Sequence, residues 1–151
     1  MNQETLKTIL PLYLGQYLIY QGGKPNKIVG YDDYEDQQPN ICLEIGFDVH
    51  PKELGKSGTV LLLRSLSSMT EEEAREVCGF IDFEFKGFEI RDQMVVMYDI
   101  DLYKLTLSDD GEIQTPFPVN LGLIPFLCSR GFDCFGLIQA GIAKEANTNN
   151  N

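Results

Sequence analysis

The chain has 151 residues, the length of one domain, and its 43% hydrophobic content with 9 Phe and 7 Tyr excludes an intrinsically disordered protein. No run of eighteen apolar residues and no basic stretch leading into an apolar one occurs, so we expect a cytoplasmic protein without a membrane span or secretory signal. The net charge is −11, and residues 71–112 hold 13 acidic and 4 basic residues, a surface that disfavours direct nucleic-acid binding.

The first third of the chain predicts a helix, a hairpin and further strands. Apolar residues recur at helical spacing from Leu6 to Tyr13, and Pro11 should end the regular hydrogen bonding of this helix. The segments QYLIYQ and NKIVGY alternate like strands, and GGKPN between them is typical of a hairpin connection. Strands are also predicted for the alternating segment ICLEIGFD and for the apolar run GTVLLLR.

The segment SSMTEEEAREVCGF predicts a helix over residues 70–78. Thr70 can cap the first helix amides while Glu73 reaches back, which is the pattern of a capping box. Glu71 and Glu72 favour the positive end of the helix, and Gly79 is a natural stop. Capping explains these three glutamates without a metal ion.

The following region predicts a second set of strands. Apolar and polar residues alternate from Ile81 onward until Gly87 shifts the phase, as a β-bulge would. The segments QMVVMYDI and DLYKLTL are also strand-like, and the Asp-Gly pair of SDDGEI is typical of a hairpin turn. Residues 147–151, with the sequence NTNNN, have nothing to bury and are expected to form a disordered tail.

The segment LCSRGFDCFGLIQAGIAKEA predicts two short helices separated at Gly131. Asp133 can cap the second of them and Gly141 can stop it. A DNA-reading helix needs exposed polar side chains and flanking basic residues, which this stretch lacks, so we interpret it as a packing element. The complete pattern predicts one α+β domain over residues 1–146, with a mainly antiparallel sheet of about five to seven strands, an N-terminal helix, a middle helix and two short C-terminal helices.

Three stretches bracket nearly the whole chain in a fixed order: ILPLYLG at residues 9–15, RSLSSMTEEEA at residues 64–74 and GFDCFGLIQAGIA at residues 131–143. Together they resemble a family of small proteins common in prophages and mobile elements of gut Bacteroidetes-type bacteria. The shared motifs are helix caps, helix stops and packing residues, so the resemblance transfers no activity to any residue. Ser65 stands where the family often has proline. The resemblance implies a phage-associated context.

The residue pattern gives little support for an enzymatic activity. Four irregularly spaced cysteines and the single His50 lack the spacing of a zinc site, and no phosphate-binding loop is present. We therefore expect no catalytic residue, cofactor or metal. Asp99 and Asp101 are the weak exception, because two carboxylates on one face of a strand could hold Mg²⁺ or Ca²⁺ in a hydrolase.

The favoured interpretation is a non-enzymatic accessory domain that binds another protein. Tyr31 and Tyr34 are candidate exposed aromatics for such a surface, together with the acidic Asp82 and Glu84. The acidic segment 71–112 supports an alternative, in which the protein mimics a nucleic-acid backbone and occupies a basic protein. The sequence leaves the partner and the oligomeric state open.

Overall fold

The computed structural model describes residues 1–34, 38–108 and 112–147, apart from the side chains of residues 33, 34, 38 and 39. The chain is an α+β protein, as predicted. It forms two compact units: a terminal unit made of Met1–Leu63 together with the segment from Leu137 onward, and a central unit made of Arg64–Gly136. The sequence predicted one domain over residues 1–146, and that range contains residues of both units.

Three α-helices and ten strands occur in the described ranges. The helices are α1 (Gln3–Ile9), α2 (Glu71–Cys78) and α3 (Leu123–Ser129). The strands are β1 (Tyr17–Ile19), β2 (Pro25–Tyr34), β3 (Gln38–Leu43), β4 (Asp48–Val49), β5 (Val60–Leu63), β6 (Phe85–Arg91), β7 (Met94–Asp99), β8 (Lys104–Leu107), β9 (Ile113–Gln114) and β10 (Ala143–Glu145).

The mainly antiparallel pairing is confirmed, but the strands form two sheets instead of the one predicted sheet of about five to seven strands. The terminal unit has a six-stranded sheet in the order β10-β5-β1-β2-β3-β4, in which only the β10–β5 pair is parallel. The central unit has a four-stranded antiparallel sheet in the order β6-β7-β8-β9.

Helix α1 begins and ends where the local chemistry predicts. The Asn2 side chain accepts a hydrogen bond from the Thr5 amide at 2.8 Å and caps the helix. Pro11 cannot continue the α-helical hydrogen bonding, and the chain tightens there into a 3₁₀ turn at Leu10–Tyr13. The apolar face of this segment is buried in the terminal unit and comprises Leu6, Ile9, Leu10 and Tyr13.

The predicted β1–β2 hairpin is confirmed, but the predicted strand ICLEIGFD is interrupted. Strand β3 ends at Leu43, whose carbonyl oxygen accepts the Gly46 amide at 2.9 Å. Gly46 has a φ of 79°, a left-handed conformation that glycine adopts without strain. The resulting turn separates β3 from β4 and leaves Ile45 and Phe47 exposed rather than on a buried strand face.

The central sheet shows the predicted bulge. The pairing register between β6 and β7 shifts between Phe85 and Gly87, as the change of phase in the sequence predicted. Asp92 and Gln93 connect these strands with φ values of 50° and 66°, the pattern of a tight two-residue hairpin turn. The Asp-Gly pair of SDDGEI lies at residues 110–111, outside the described residues, as do residues 148–151 of the predicted tail.

The predicted capping box of α2 is confirmed and is part of a larger polar cluster. Glu73 donates its backbone amide to the Thr70 hydroxyl, and the Glu73 carboxylate accepts the Thr70 amide at 3.0 Å. The Arg64 guanidinium donates to both carboxylate oxygens of Glu73, at 2.7 and 3.0 Å. Burial opposes the charged form of Glu73, but the hydrogen bonds from Arg64 and Thr70 hold the pKa of this carboxyl below its ordinary value.

Only one of the two predicted C-terminal helices forms. Helix α3 is present, but the segment after Gly131 turns repeatedly instead of forming a second helix. The Asp133 side chain accepts the Phe135 amide at 3.2 Å in a local turn, and Gly136 and Gly141 adopt φ values of 68° and 74°. Left-handed residues cannot continue an α-helix, so the chain proceeds into β10.

We expect Arg64→Met to lower the free energy of unfolding by about 3 kcal/mol, because it leaves the buried Glu73 carboxylate without its cation. Arg91→Met is the matched control. It breaks the exposed Arg91–Glu89 pair, whose N–O distance is 2.6 Å, and should cost less than about 1 kcal/mol. Urea denaturation followed by circular dichroism measures both values. Equal losses in the two variants would contradict a structural role for the Arg64–Glu73 pair.

Candidate functional site

The connection between β7 and β8 has an unusual residue at its tip. The Leu102 amide donates to the Asp99 carbonyl at 2.9 Å, and the Asp99 amide donates to the Tyr103 carbonyl at 3.0 Å. Leu102 has a φ of 65°. A tight turn followed by a left-handed residue is a common three-residue hairpin loop, and glycine normally occupies the left-handed position. Leucine stands there in this chain.

The Asp99 side chain fixes this turn from inside the central unit. It is 6% exposed, and its Oδ1 accepts the Asp101 amide at 2.6 Å while Oδ2 accepts the Glu84 amide at 3.4 Å. The Ile100 amide also donates to the Glu84 carbonyl, at 3.1 Å. The carboxylate therefore orders the turn and joins it to the segment that leads into β6.

Three apolar side chains project from this turn into solvent. Ile100, Leu102 and Tyr103 are 54%, 67% and 51% exposed, and we call them the apolar turn. A left-handed leucine costs about 1 kcal/mol relative to an ordinary conformation. Because the Leu102 side chain is also mostly exposed, neither backbone preference nor packing within the chain accounts for leucine at this position.

Aromatic rings support the apolar turn from one side. The Tyr103 ring meets the Phe117 ring edge to face, with centroids 5.5 Å apart, and Phe117 meets the buried Phe83 in the same way at 6.0 Å. Val119 pairs with Ile81 in an isolated β-bridge and is itself exposed. The Tyr103–Phe117 contact therefore places the apolar turn beside the half-buried Phe117 ring of the central unit.

Acidic residues border the apolar turn. Asp82 and Glu84 flank the supporting Phe83, Asp101 lies within the turn, and all three are exposed. We call them the acidic rim. Lys104 is the neighbouring base, and its ammonium lies 5.8 Å from the centroid of the Tyr98 ring. The surface is therefore apolar at the centre and predominantly negative at the border.

The structure separates the two predicted metal candidates. Strand β7 ends at Asp99, so Asp101 lies in the turn and not on the same strand face. Both Asp99 oxygens accept hydrogen bonds from backbone amides, so this carboxylate orders the backbone of the turn. Within the described ranges no three His, Cys, Asp or Glu side chains come together in a group that could hold a metal ion.

The predicted interaction residues are distributed over both units. Tyr31 is half-buried, not exposed, because its hydroxyl donates to the Leu10 carbonyl, and burial raises the pKa of this phenol. The backbone of Tyr34 lies in β2, but its side chain lies outside the described residues. Asp82 and Glu84 are exposed, as the prediction requires, and they precede β6 in the acidic rim.

The acidic segment 71–112 is partly neutralised by arginine. Such pairing leaves fewer free carboxylates for a surface that would mimic a nucleic-acid backbone. The ion pairs join Arg75 to Glu71, Arg64 to Glu73, Arg130 to Glu76 and Arg91 to Glu89.

The thiols and the histidine have no catalytic arrangement in the described structure. The four cysteines, which all lie within the described residues, form no disulfide, and three of them are buried. Burial raises the pKa of Cys78 to about 11, so this thiol is protonated at neutral pH and is a poor nucleophile. The His50 Nδ1 accepts the Lys52 amide at 3.0 Å and caps a 3₁₀ turn.

Sequence reasoning missed the apolar turn because the segment DIDLYKL alternates between polar and apolar residues like a strand. The available signal was Asp99, since aspartate often begins a tight turn by bonding its own backbone two residues on. No protein-family model matches this chain, and no curated protein or solved structure matches it. None of the described helices has the length and apolar character needed to cross a membrane.

We expect Asp99→Asn to lower the free energy of unfolding by about 1–3 kcal/mol, because an amide has one oxygen and cannot accept both backbone amides. Asp101→Asn removes the same charge from an exposed side chain and should change stability by less than about 0.5 kcal/mol. Thermal melting with and without Mg²⁺ checks the assignment. A melting temperature that Mg²⁺ raises in the natural chain but not in Asp99→Asn would contradict the structural role.

Proposed function

We propose that this protein is a non-enzymatic protein-interaction domain that docks its apolar turn into an apolar pocket of another protein. The supporting observation is Leu102, an exposed leucine held in a left-handed conformation that glycine would adopt without strain. Strained and exposed residues of this kind concentrate at functional sites. Docking would bury the Ile100, Leu102 and Tyr103 side chains and would account for their presence in the turn.

The acidic rim indicates the chemistry of the partner. Asp82, Glu84 and Asp101 are exposed residues of the turn and of the segment bonded to it, so we expect a complementary pocket to carry lysine or arginine at its border. Rim charges mainly increase the association rate and exclude wrong partners, while the buried apolar contacts supply most of the affinity. Binding should therefore weaken, without being abolished, as the salt concentration rises.

The same charges disfavour a second copy of this chain as the occupant. Two copies that met through the apolar turn would bring their acidic rims together, and like charges at such a border oppose association. The proposed occupant is therefore a different protein with a basic-bordered pocket. The resemblance to prophage proteins supports a role as an accessory protein of a mobile element, acting in the cytoplasm.

A photocrosslinking amino acid in place of Tyr103 tests this surface directly. We expect it to capture a partner from the host, and the crosslinked peptide should lie in an apolar pocket with lysine or arginine at its edge. The same group in place of Tyr17, which is exposed in the terminal unit, is the control and should not capture that protein. Capture of a second copy of this chain, or of the same protein from both positions, would contradict the proposal.

Matched substitutions then separate binding from folding. Leu102→Asp should weaken partner binding more than tenfold, because it places a charge in an apolar contact while aspartate tolerates the left-handed conformation. Leu121→Asp makes the same change at a side chain that is 95% exposed and outside the apolar turn, and it should leave binding unchanged. Glu84→Lys changes the charge of the acidic rim from about −3 to about −1, so it should slow association and weaken its salt dependence. Unchanged binding by Leu102→Asp would refute docking through this turn.

A further inference from the structure

The terminal unit contains an open groove that the proposed docking surface does not use. The groove is lined by residues between His50 and Thr59 and by Gln21, and its volume is about 400 Å³. Binding sites for small molecules commonly have volumes of roughly 300–1,000 Å³. The groove is therefore large enough for a small ligand.

Two hairpin turns abut along one side of this groove. Ser57 and Gly58 form one turn with φ values of 50° and 74°, and Gln21 and Gly22 belong to the other with φ values of 48° and 72°. The Gly22 amide donates to the Gly58 carbonyl at 3.0 Å. A Cβ atom on Gly58 would lie 2.9 Å from the Gly22 nitrogen, so only glycine permits this approach.

Two non-glycine residues of these turns line the groove in strained conformations. Ser57 and Gln21 both have positive φ values, which cost about 1 kcal/mol or more for residues with a side chain. The Gln21 amide donates to the Thr59 hydroxyl oxygen at 3.2 Å. Thr59 is 1% exposed, and accepting this bond leaves its hydroxyl proton as a donor at the base of the groove.

The groove is locally basic although the whole chain is acidic. Lys52 and Lys56 are exposed, and neither is ion-paired with any residue that the structure describes. His50 accepts the Lys52 amide at Nδ1, so its neutral ring carries the proton at Nε2 and is a further donor. Glu53 is the acidic residue among those lining the groove, and burial together with this carboxylate raises the pKa of the adjacent Tyr20 phenol.

We propose that this groove binds a small phosphomonoester, with the phosphate contacting Lys52, Lys56 and the Ser57 hydroxyl. Ammonium and hydroxyl groups form charge-assisted hydrogen bonds with phosphate oxygens. The volume of the groove exceeds that of one phosphate group, which leaves room for the organic part of the ligand. The site lies entirely in the terminal unit, so it shares no residue with the apolar turn of the central unit.

Titration of the ¹⁵N-labelled full chain with glycerol 3-phosphate tests this site by NMR. Saturable shifts are expected at residue 21 and residues 50–59, and inorganic phosphate should bind at the same place several-fold more weakly. Glycerol is the uncharged control and should produce no saturable shift. Absence of saturable shifts at millimolar glycerol 3-phosphate, or equal affinity for inorganic phosphate, would overturn a phosphomonoester site.

Charge-matched variants identify the binding residues. Lys52→Gln with Lys56→Gln should raise the dissociation constant for glycerol 3-phosphate at least tenfold, since both charge-assisted contacts are lost. Lys24→Gln with Lys27→Gln removes the same charge elsewhere in the terminal unit. This control should change the dissociation constant less than twofold. Ser57→Gly fits the left-handed backbone, so it should weaken binding without unfolding the protein. Equal losses in the two double variants would show only non-specific attraction and would refute the site.

Discussion

The buried carboxylate of Asp99 is the interaction on which the candidate docking site depends. Its two oxygens accept the amides of Asp101 and Glu84, so one side chain both closes the β7–β8 turn and fastens it to the segment before β6. The backbone is thereby held with Leu102 in a left-handed conformation and with its side chain in solvent. A turn ordered before binding loses less conformational entropy when a partner covers it. Asp99 was a candidate metal ligand in the sequence. In the structure it orders the turn that exposes the apolar side chains.

The two units use their charged residues differently. All four arginines lie in the central unit, and each pairs with a glutamate there, a use that suits the forked guanidinium group. Most of the lysines lie in the terminal unit, where Lys52 and Lys56 line a groove without pairing to a described acid. The net charge of −11 does not show that the arginines and most of the lysines lie in different units. A basic groove for a phosphorylated ligand and an acid-bordered apolar turn for a protein can therefore belong to one acidic chain.

Short-range chemistry could be predicted from the sequence, and longer-range geometry could not. The capping box at Thr70 and the bulge at Gly87 involve residues close in the chain, so their patterns identify them. The apolar turn was missed because its alternation matches that of a strand, and only the hydrogen bonds of the Asp99 side chain select the turn. The groove was missed because it depends on the approach of Gly22 to Gly58, which adjacent sequence does not specify. The second predicted C-terminal helix does not form, because Gly136 and Gly141 both adopt left-handed conformations.

The most direct test of the docking site is the stability of Leu102→Gly, measured by urea denaturation. If Leu102 is retained for binding rather than folding, glycine should relieve the left-handed strain there, and Leu102→Gly should have a free energy of unfolding about 1 kcal/mol higher than Leu121→Gly. Leu121→Gly, at a leucine that is 95% exposed and has no positive φ, should be neutral or slightly destabilising because it only increases the freedom of the unfolded chain. A loss of stability in Leu102→Gly larger than that in Leu121→Gly would show that the leucine packs for the fold, and it would contradict the assignment of this turn as a binding surface.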